Sequence, residues 1–151
     1  MQTNYTLSLI KSLFASTYGK EPDSILPINH GGGSRRIYYR LLHGGEPVIG
    51  AYNPDRRENR AFIYLARYFK AEGLPVPDII AEDDEGLCYL VSDAGDTTLF
   101  SLLEEKFSTK TKEQYKRVLE YLVRFQLAGH NGLDYSYCCP RESYDYQSAI
   151  W

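Results

Sequence analysis

The sequence predicts an α+β protein in which an antiparallel sheet of about five strands, with a packed helix, precedes a purely helical segment. Three observations carry this. Periodicity alternates between 3.6 and short apolar runs in the order helix, three strands, helix, two strands, helices. The strands pair off across short turns rich in glycine and acidic residues, which favours hairpins over a doubly wound sheet. The length, 151 residues, suits one domain or one domain with an extension. With 43% hydrophobic and 25% charged residues, the composition is that of an ordinary globular chain and excludes full disorder. The net charge of −3 argues against nucleic acid as a partner. No apolar run approaches the ~18 residues needed to span a bilayer. The stretch from Leu7 to Ala15 is broken by Lys11 and Ser12 and has no basic leader, so it is a poor signal peptide. Three cysteines, two of them adjacent (Cys138 and Cys139), suit reduced thiols and a cytoplasmic protein.

The elements follow in order. Leu7, Ile10 and Phe14 recur at helical spacing between Tyr5 and Tyr18, and Gly19 stops that helix. Strands are expected over Ser24–Asn29, Arg36–Leu42 and Pro47–Tyr52, separated by His30-Gly31-Gly32-Gly33-Ser34 and by His43-Gly44-Gly45-Glu46. Asn53-Pro54 closes the third strand. After Asp55 a helix is expected with Phe62, Leu65 and Phe69 on one face; Gly73 and the Leu74-Pro75-Val76-Pro77 segment end it. Asp78–Ala81 and Leu87–Val91 read as two strands around an acidic turn, the second apolar enough to lie inside the sheet. Asp96 is positioned to cap a helix carrying Leu99, Leu102 and Leu103. Thr111-x-x-Gln114 has capping-box form for a last helix, whose expected face is Tyr115, Val118, Leu122 and Phe125. The Ser92–Asp96 segment is the expected internal boundary, dividing residues 1–92 from 97–151 with a hinge at 93–96.

Three segments could carry chemistry. In Gly31-Gly32-Gly33 the absence of Cβ atoms lets backbone N–H groups approach an anion, and Ser34, Arg35 and Arg36 add a hydroxyl and two guanidinium groups suited to phosphate. A solvated hairpin turn explains the same residues, since the spacing is neither G-x-G-x-x-G nor Walker A. Glu58 falls in phase with Phe62, Leu65 and Phe69, so it either meets a partner on the helix's inner face or simply favours the helix dipole in the first turn. Ser92-Asp93-Ala94-Gly95-Asp96 follows an apolar strand and exposes backbone groups to which a flat base could bind edge-on, or it is an ordinary loop. The scattered histidines His30, His43 and His130 make no metal-ligand spacing with the cysteines.

Taken in order, Gly33-Ser34-Arg35-Arg36-Ile37-Tyr38-Tyr39-Arg40, Gly73-Leu74-Pro75-Val76-Pro77-Asp78-Ile79-Ile80-Ala81 and Leu90-Val91-Ser92-Asp93-Ala94-Gly95-Asp96-Thr97-Thr98-Leu99 resemble the aminoglycoside phosphotransferase and choline kinase family. That family has a protein-kinase-like fold. Within it the resemblance is greatest to the bacterial kinases that phosphorylate N-acetylmuramate and N-acetylglucosamine at the anomeric carbon. The likeness spans about residues 25 to 103 and covers the N-terminal lobe. It implies that Gly31, Gly32, Gly33, Ser34, Arg35 and Arg36 cover the phosphates of ATP, that Glu58 faces the third strand, and that backbone groups at Ser92 and Asp93 bind the adenine. It further implies Mg²⁺ as a cofactor and a sugar or other small alcohol as substrate; the absence of nucleic acid and membrane as partners is expected from the charge and the apolar run lengths.

Two departures from the family pattern stand out. Its third-strand lysine has no counterpart in Pro47-Val48-Ile49-Gly50-Ala51-Tyr52, so Arg36 or Arg40 is the expected source of the charge that Glu58 otherwise lacks. The catalytic H-x-D with a following Asn, and the metal-binding D-x-D, do not occur in these 151 residues, although phosphoryl transfer needs such groups. The expectation is therefore a nucleotide-binding lobe followed by the first helices of a truncated C-terminal lobe, inactive alone. Two other classes compete: a non-catalytic module that binds an anion or partner through Arg35, Arg36 and Arg40, and a structural domain with no ligand.

Overall fold

The computed structural model describes residues 2–28, 35–105, 108–143 and 146. Helix α1 (Gln2–Tyr18) ends where Gly19 turns to φ +71° and donates its N–H to the Ala15 carbonyl. Strands β1 (Ser24–Ile28), β2 (Ile37–His43) and β3 (Glu46–Tyr52) form an antiparallel meander. The β2–β3 hairpin turns through Gly44 and Gly45, both at positive φ, as a two-residue connection matched to strand twist requires. Helix α2 (Arg56–Ala71) is capped by Asp55, whose carboxylate accepts the Glu58 N–H at 3.0 Å. A second hairpin, β4 (Ile79–Glu82) and β5 (Cys88–Ser92), is closed by Asp83, which accepts the N–H groups of Leu87 and Cys88. Helices α3 (Leu99–Glu105) and α4 (Thr109–His130) and a 3-10 turn at Tyr135–Tyr137 complete the chain.

The sheet order is β1-β2-β3-β5-β4, all antiparallel, so β5 is an interior strand as its apolar sequence requires. Alternation along the strands gives each face its own helix. On one face Ile10 and Phe14 of α1 bury against Leu41, Val48, Cys88 and Leu90, each such side chain contributing roughly 1.5–3 kcal/mol. The approach of α1 is close because Gly50 has no side chain: a Cβ there would stand 2.5 Å from Ile10 Cγ2 and 2.8 Å from Leu41 Cδ1. On the other face α2 covers Ala51, Tyr89 and Val91 with Ile63, and the Phe62 ring stacks on Tyr89 at 5.0 Å.

Several local expectations are corrected. The fully buried residues of α2 are Asn59, Ala61, Ile63 and Ala66; of the expected face, Phe62 does pack on the sheet, against Tyr89, and Phe69 does not. The helix packs against two partners, and Phe69 turns away from the sheet to meet Phe125 of α4 edge-on at 4.9 Å. Asp96 does not cap α3. Arg40 holds its carboxylate at 2.7 Å, and Thr98 caps instead, its hydroxyl accepting the Ser101 N–H while Ser101 Oγ accepts the Thr98 N–H. Ser108, not Thr111, caps α4 by accepting the Thr111 N–H. On α4 itself, Val118 and Leu122 are exposed, and of the expected face Phe125 is the residue that packs on α2. The helix also runs past Gly129 to His130, with Asn131 as its C-cap and Gly132 at φ +110° beyond it.

Candidate functional site

The sheet face under α2 carries the site. Register places Tyr38, Ala51 and Tyr89 in one cross-strand row and Arg40, Ile49 and Val91 in the next. Arg36 precedes β2 and shares the phase of Tyr38 and Arg40. Its guanidinium therefore leaves the same face as Arg40's, four residues or roughly 13 Å along the chain.

Arg36 and Glu58 form an ion pair at 3.1 Å, the arginine side chain largely buried and the carboxylate 40% exposed. The guanidinium lies 5.7 Å from the centre of the Phe62 ring, a cation–π distance. Burial pushes the Tyr89 phenol up to about 12 against the opposing pull of Arg36. The second oxygen of Glu58 accepts from Asn53 Nδ2 at 2.7 Å, and Asn53 Oδ1 accepts the Asp55 N–H. Glu58 thus has a partner on each oxygen, and both sequence readings of it hold in part: it sits in the first turn of α2 and it is paired. Around this pair opens a cleft of about 760 Å³ lined by Arg35, Arg36, Asn53, Asp55, Arg56 and Glu58. Gly31, Gly32, Gly33 and Ser34, expected beside it, lie outside the described residues.

The other end of the face is closed by Arg40. Its Nε donates to one Asp93 oxygen, its Nη2 to the other at 3.3 Å, and Nη2 also donates to Asp96 at 2.7 Å. Asp93 is 6% exposed and further accepts the Gly95 N–H at 2.7 Å. Burial raises the Asp93 carboxyl, but the hydrogen bonds from Arg40 and Gly95 outweigh it and hold the group below the usual carboxylate range. The same two carboxylates hold the Arg40 guanidinium charged. Ser92 is tied to β4, its N–H donating to the Asp78 carbonyl and its Oγ accepting the Asp78 N–H. The two arginines that could answer Glu58 have therefore divided the work: Arg36 takes Glu58, and Arg40 takes the strand-to-helix crossing.

Two site residues escaped the sequence reading. Asn53 read only as a turn. Asn59, buried to 1% exposure, donates to the carbonyls of Asn53, Gly86 and Leu87 and so fixes the start of α2 to the β4–β5 turn. Its signal was present: Asn59, Ile63 and Ala66 keep i, i+4, i+7 spacing, and a polar residue in that phase needs partners. Among the described residues no group of three or more histidine, cysteine or acidic side chains converges as a metal site. No helix among them is long and apolar enough to cross a membrane. No protein-family model, curated protein or solved structure matches this chain.

Proposed function

We propose that the chain is the nucleotide-binding lobe of an ATP-dependent phosphotransferase acting on a small sugar or amino-sugar hydroxyl. The observation that carries the reading is the Arg36–Glu58 ion pair beside a cleft edged by Arg35 and opposite a third strand that has no base. A kinase-like site needs a cation held by the helix carboxylate at that place, and Arg36 supplies one from β2's side. Arg35 and Arg36 would hold phosphate oxygens, guanidinium groups being suited to that geometry. Arg40, by anchoring Asp93 and Asp96, would keep the crossing in the position where the base is read. Because the Ser92 N–H is taken by Asp78, the base would meet the backbone of Asp93 and Ala94. Mg²⁺ would arrive with the nucleotide and neutralise its phosphate oxygens; the side chains described here do not form a cage for it. The H-x-D and D-x-D motifs of the transfer step are not among these residues, so the function assigned to this chain is binding.

The test is calorimetric titration with ATP and Mg²⁺, with tripolyphosphate as the comparison. Arg36→Ala is expected to weaken ATP binding about tenfold, the loss of one charge-assisted contact of about 1.4 kcal/mol. Unchanged affinity in Arg36→Ala overturns the phosphate seat, and tripolyphosphate binding as tightly as ATP overturns the nucleotide reading in favour of a plain anion module.

A further inference from the structure

We infer that the outer side of α2 is a second binding site, for a small aromatic anion whose ring and charged group are held in adjoining clefts. Arg57, Arg60, Tyr64 and Tyr68 recur at i, i+3, i+7 and i+11, which puts them on one stripe of the helix. This stripe is turned away from the Asn59–Ile63–Ala66 line that packs on the sheet. The 3-10 turn packs against it: the Tyr137 ring stacks on Tyr64 at 4.1 Å and 16°.

Two clefts meet there, sharing Arg60 and Tyr137. The first, about 520 Å³, is walled by Ile63, Tyr64, Tyr68 and Tyr137, and is also lined by Arg67 and Glu82, which pair with each other at 2.9 Å. The second, about 450 Å³, is lined by Arg57, Arg60, Asp134 and Ser136. Both volumes fall in the range of small-molecule sites.

The tyrosine hydroxyls are already engaged. Tyr64 accepts the Asp134 N–H at 2.7 Å and Tyr68 donates to the Ala128 carbonyl at 2.7 Å, so the walls are held in place and offer ring surface. The arginines differ from their neighbours. Arg56 pairs with Glu85 and Arg67 with Glu82, whereas Arg57 and Arg60 meet no carboxylate at ion-pair distance among the described residues. Asp134 lines their cleft, but its Oδ1 accepts the Ser136 N–H at 3.0 Å. Arg60 also borders Glu82, Asp83, Asp84 and Glu85 in a third cleft, so Arg57 is the guanidinium free of that acidic turn. In the second cleft Arg57 and Arg60 face Asp134 and leave its lining net positive, next to an aromatic wall. That combination recognises a phosphate or carboxylate borne on a flat apolar ring. The site is separate from the Arg36–Glu58 cleft, and the inference does not rest on the nucleotide reading.

The test is titration of the full chain with phenyl phosphate, with inorganic phosphate and phenol as the two halves alone. Phenyl phosphate is expected to bind at least about tenfold more tightly than either half. Arg57→Ala/Arg60→Ala, both exposed positions, is expected to reduce that binding about tenfold or more, with the thermal unfolding midpoint unchanged as a check on folding. Tyr137→Ala should reduce the preference for phenyl phosphate over inorganic phosphate. Inorganic phosphate binding as tightly as phenyl phosphate, or full affinity in the double arginine variant, overturns the site.

Discussion

Arg40 on β2 and Asp93 just beyond β5 stand 53 residues apart in sequence and are joined by two hydrogen bonds across the end of the sheet. The pair links the edge of one hairpin to the segment that leads into the helices, and a third bond to Asp96 extends the clamp along that segment. Asp93 is nearly buried, so the clamp depends on its charge being answered.

Arg40→Ala should therefore destabilise the fold, because it leaves the Asp93 carboxylate with the Gly95 N–H in place of three donors. Arg40→Ala/Asp93→Asn should recover part of that loss. Chemical denaturation of the two single variants and the double variant measures the coupling, and additive losses would show that the clamp contributes nothing.

The pH dependence has a definite sign. Asp93 titrates below the ordinary carboxylate value in the folded chain. Its contribution is fully present above the unfolded value of about 3.9 and is lost as pH falls below it. Asp93→Asn should flatten the stability–pH curve below about pH 4, measured by urea unfolding across that range. An unchanged acid slope would contradict the assignment.

Gly50→Ala should cost about 1–3 kcal/mol through overpacking, since the new Cβ would lie 2.5 Å from Ile10 Cγ2 and 2.8 Å from Leu41 Cδ1. Ile10→Ala removes a buried core side chain and should itself cost about 2–5 kcal/mol, but the double variant should lose less than the sum of the two single losses. The unfolding free energies of the three variants decide this.

Asn59→Ala should be worse than its small size suggests, about 2–3 kcal/mol, because the carbonyls of Asn53 and Gly86 lose this donor and that of Leu87 keeps the Asn53 N–H. Asn59→Leu should not rescue it, since the deficit is polar. Stability restored by leucine would mean that the site lacks only volume.

Much of the fold could be read from the residues because its signals were local. Gly19, Gly73 and the Gly44-Gly45 turn end or connect elements through positive φ, and the apolar run of β5 placed it inside the sheet. What misled was competition between partners. Asp96 looked like a cap until Arg40 claimed it, and Phe69 looked like part of the sheet-facing stripe of α2 until Phe125 of α4 supplied a second surface. Of the candidate site, Arg36, Arg40 and Glu58 were legible as one set with either arginine as the partner of Glu58, whereas Asp93 stood out for its backbone and the bond of its carboxylate to Arg40 did not. Spacing along a chain cannot tell which of two arginines on one strand face meets which carboxylate, and the register across β2, β3 and β5 decides it.

The most direct measurement of the central claim is a map of backbone amide chemical shifts during titration with a non-hydrolysable ATP analogue and Mg²⁺. Perturbations are predicted to fall on Arg35–Arg40, on Ile49–Ala51 of β3 and on Val91–Ala94, and to collapse in Arg36→Ala. Shifts confined to α4 or the outer side of α2, or none up to millimolar nucleotide, would contradict a nucleotide seat between Arg36 and Asp93.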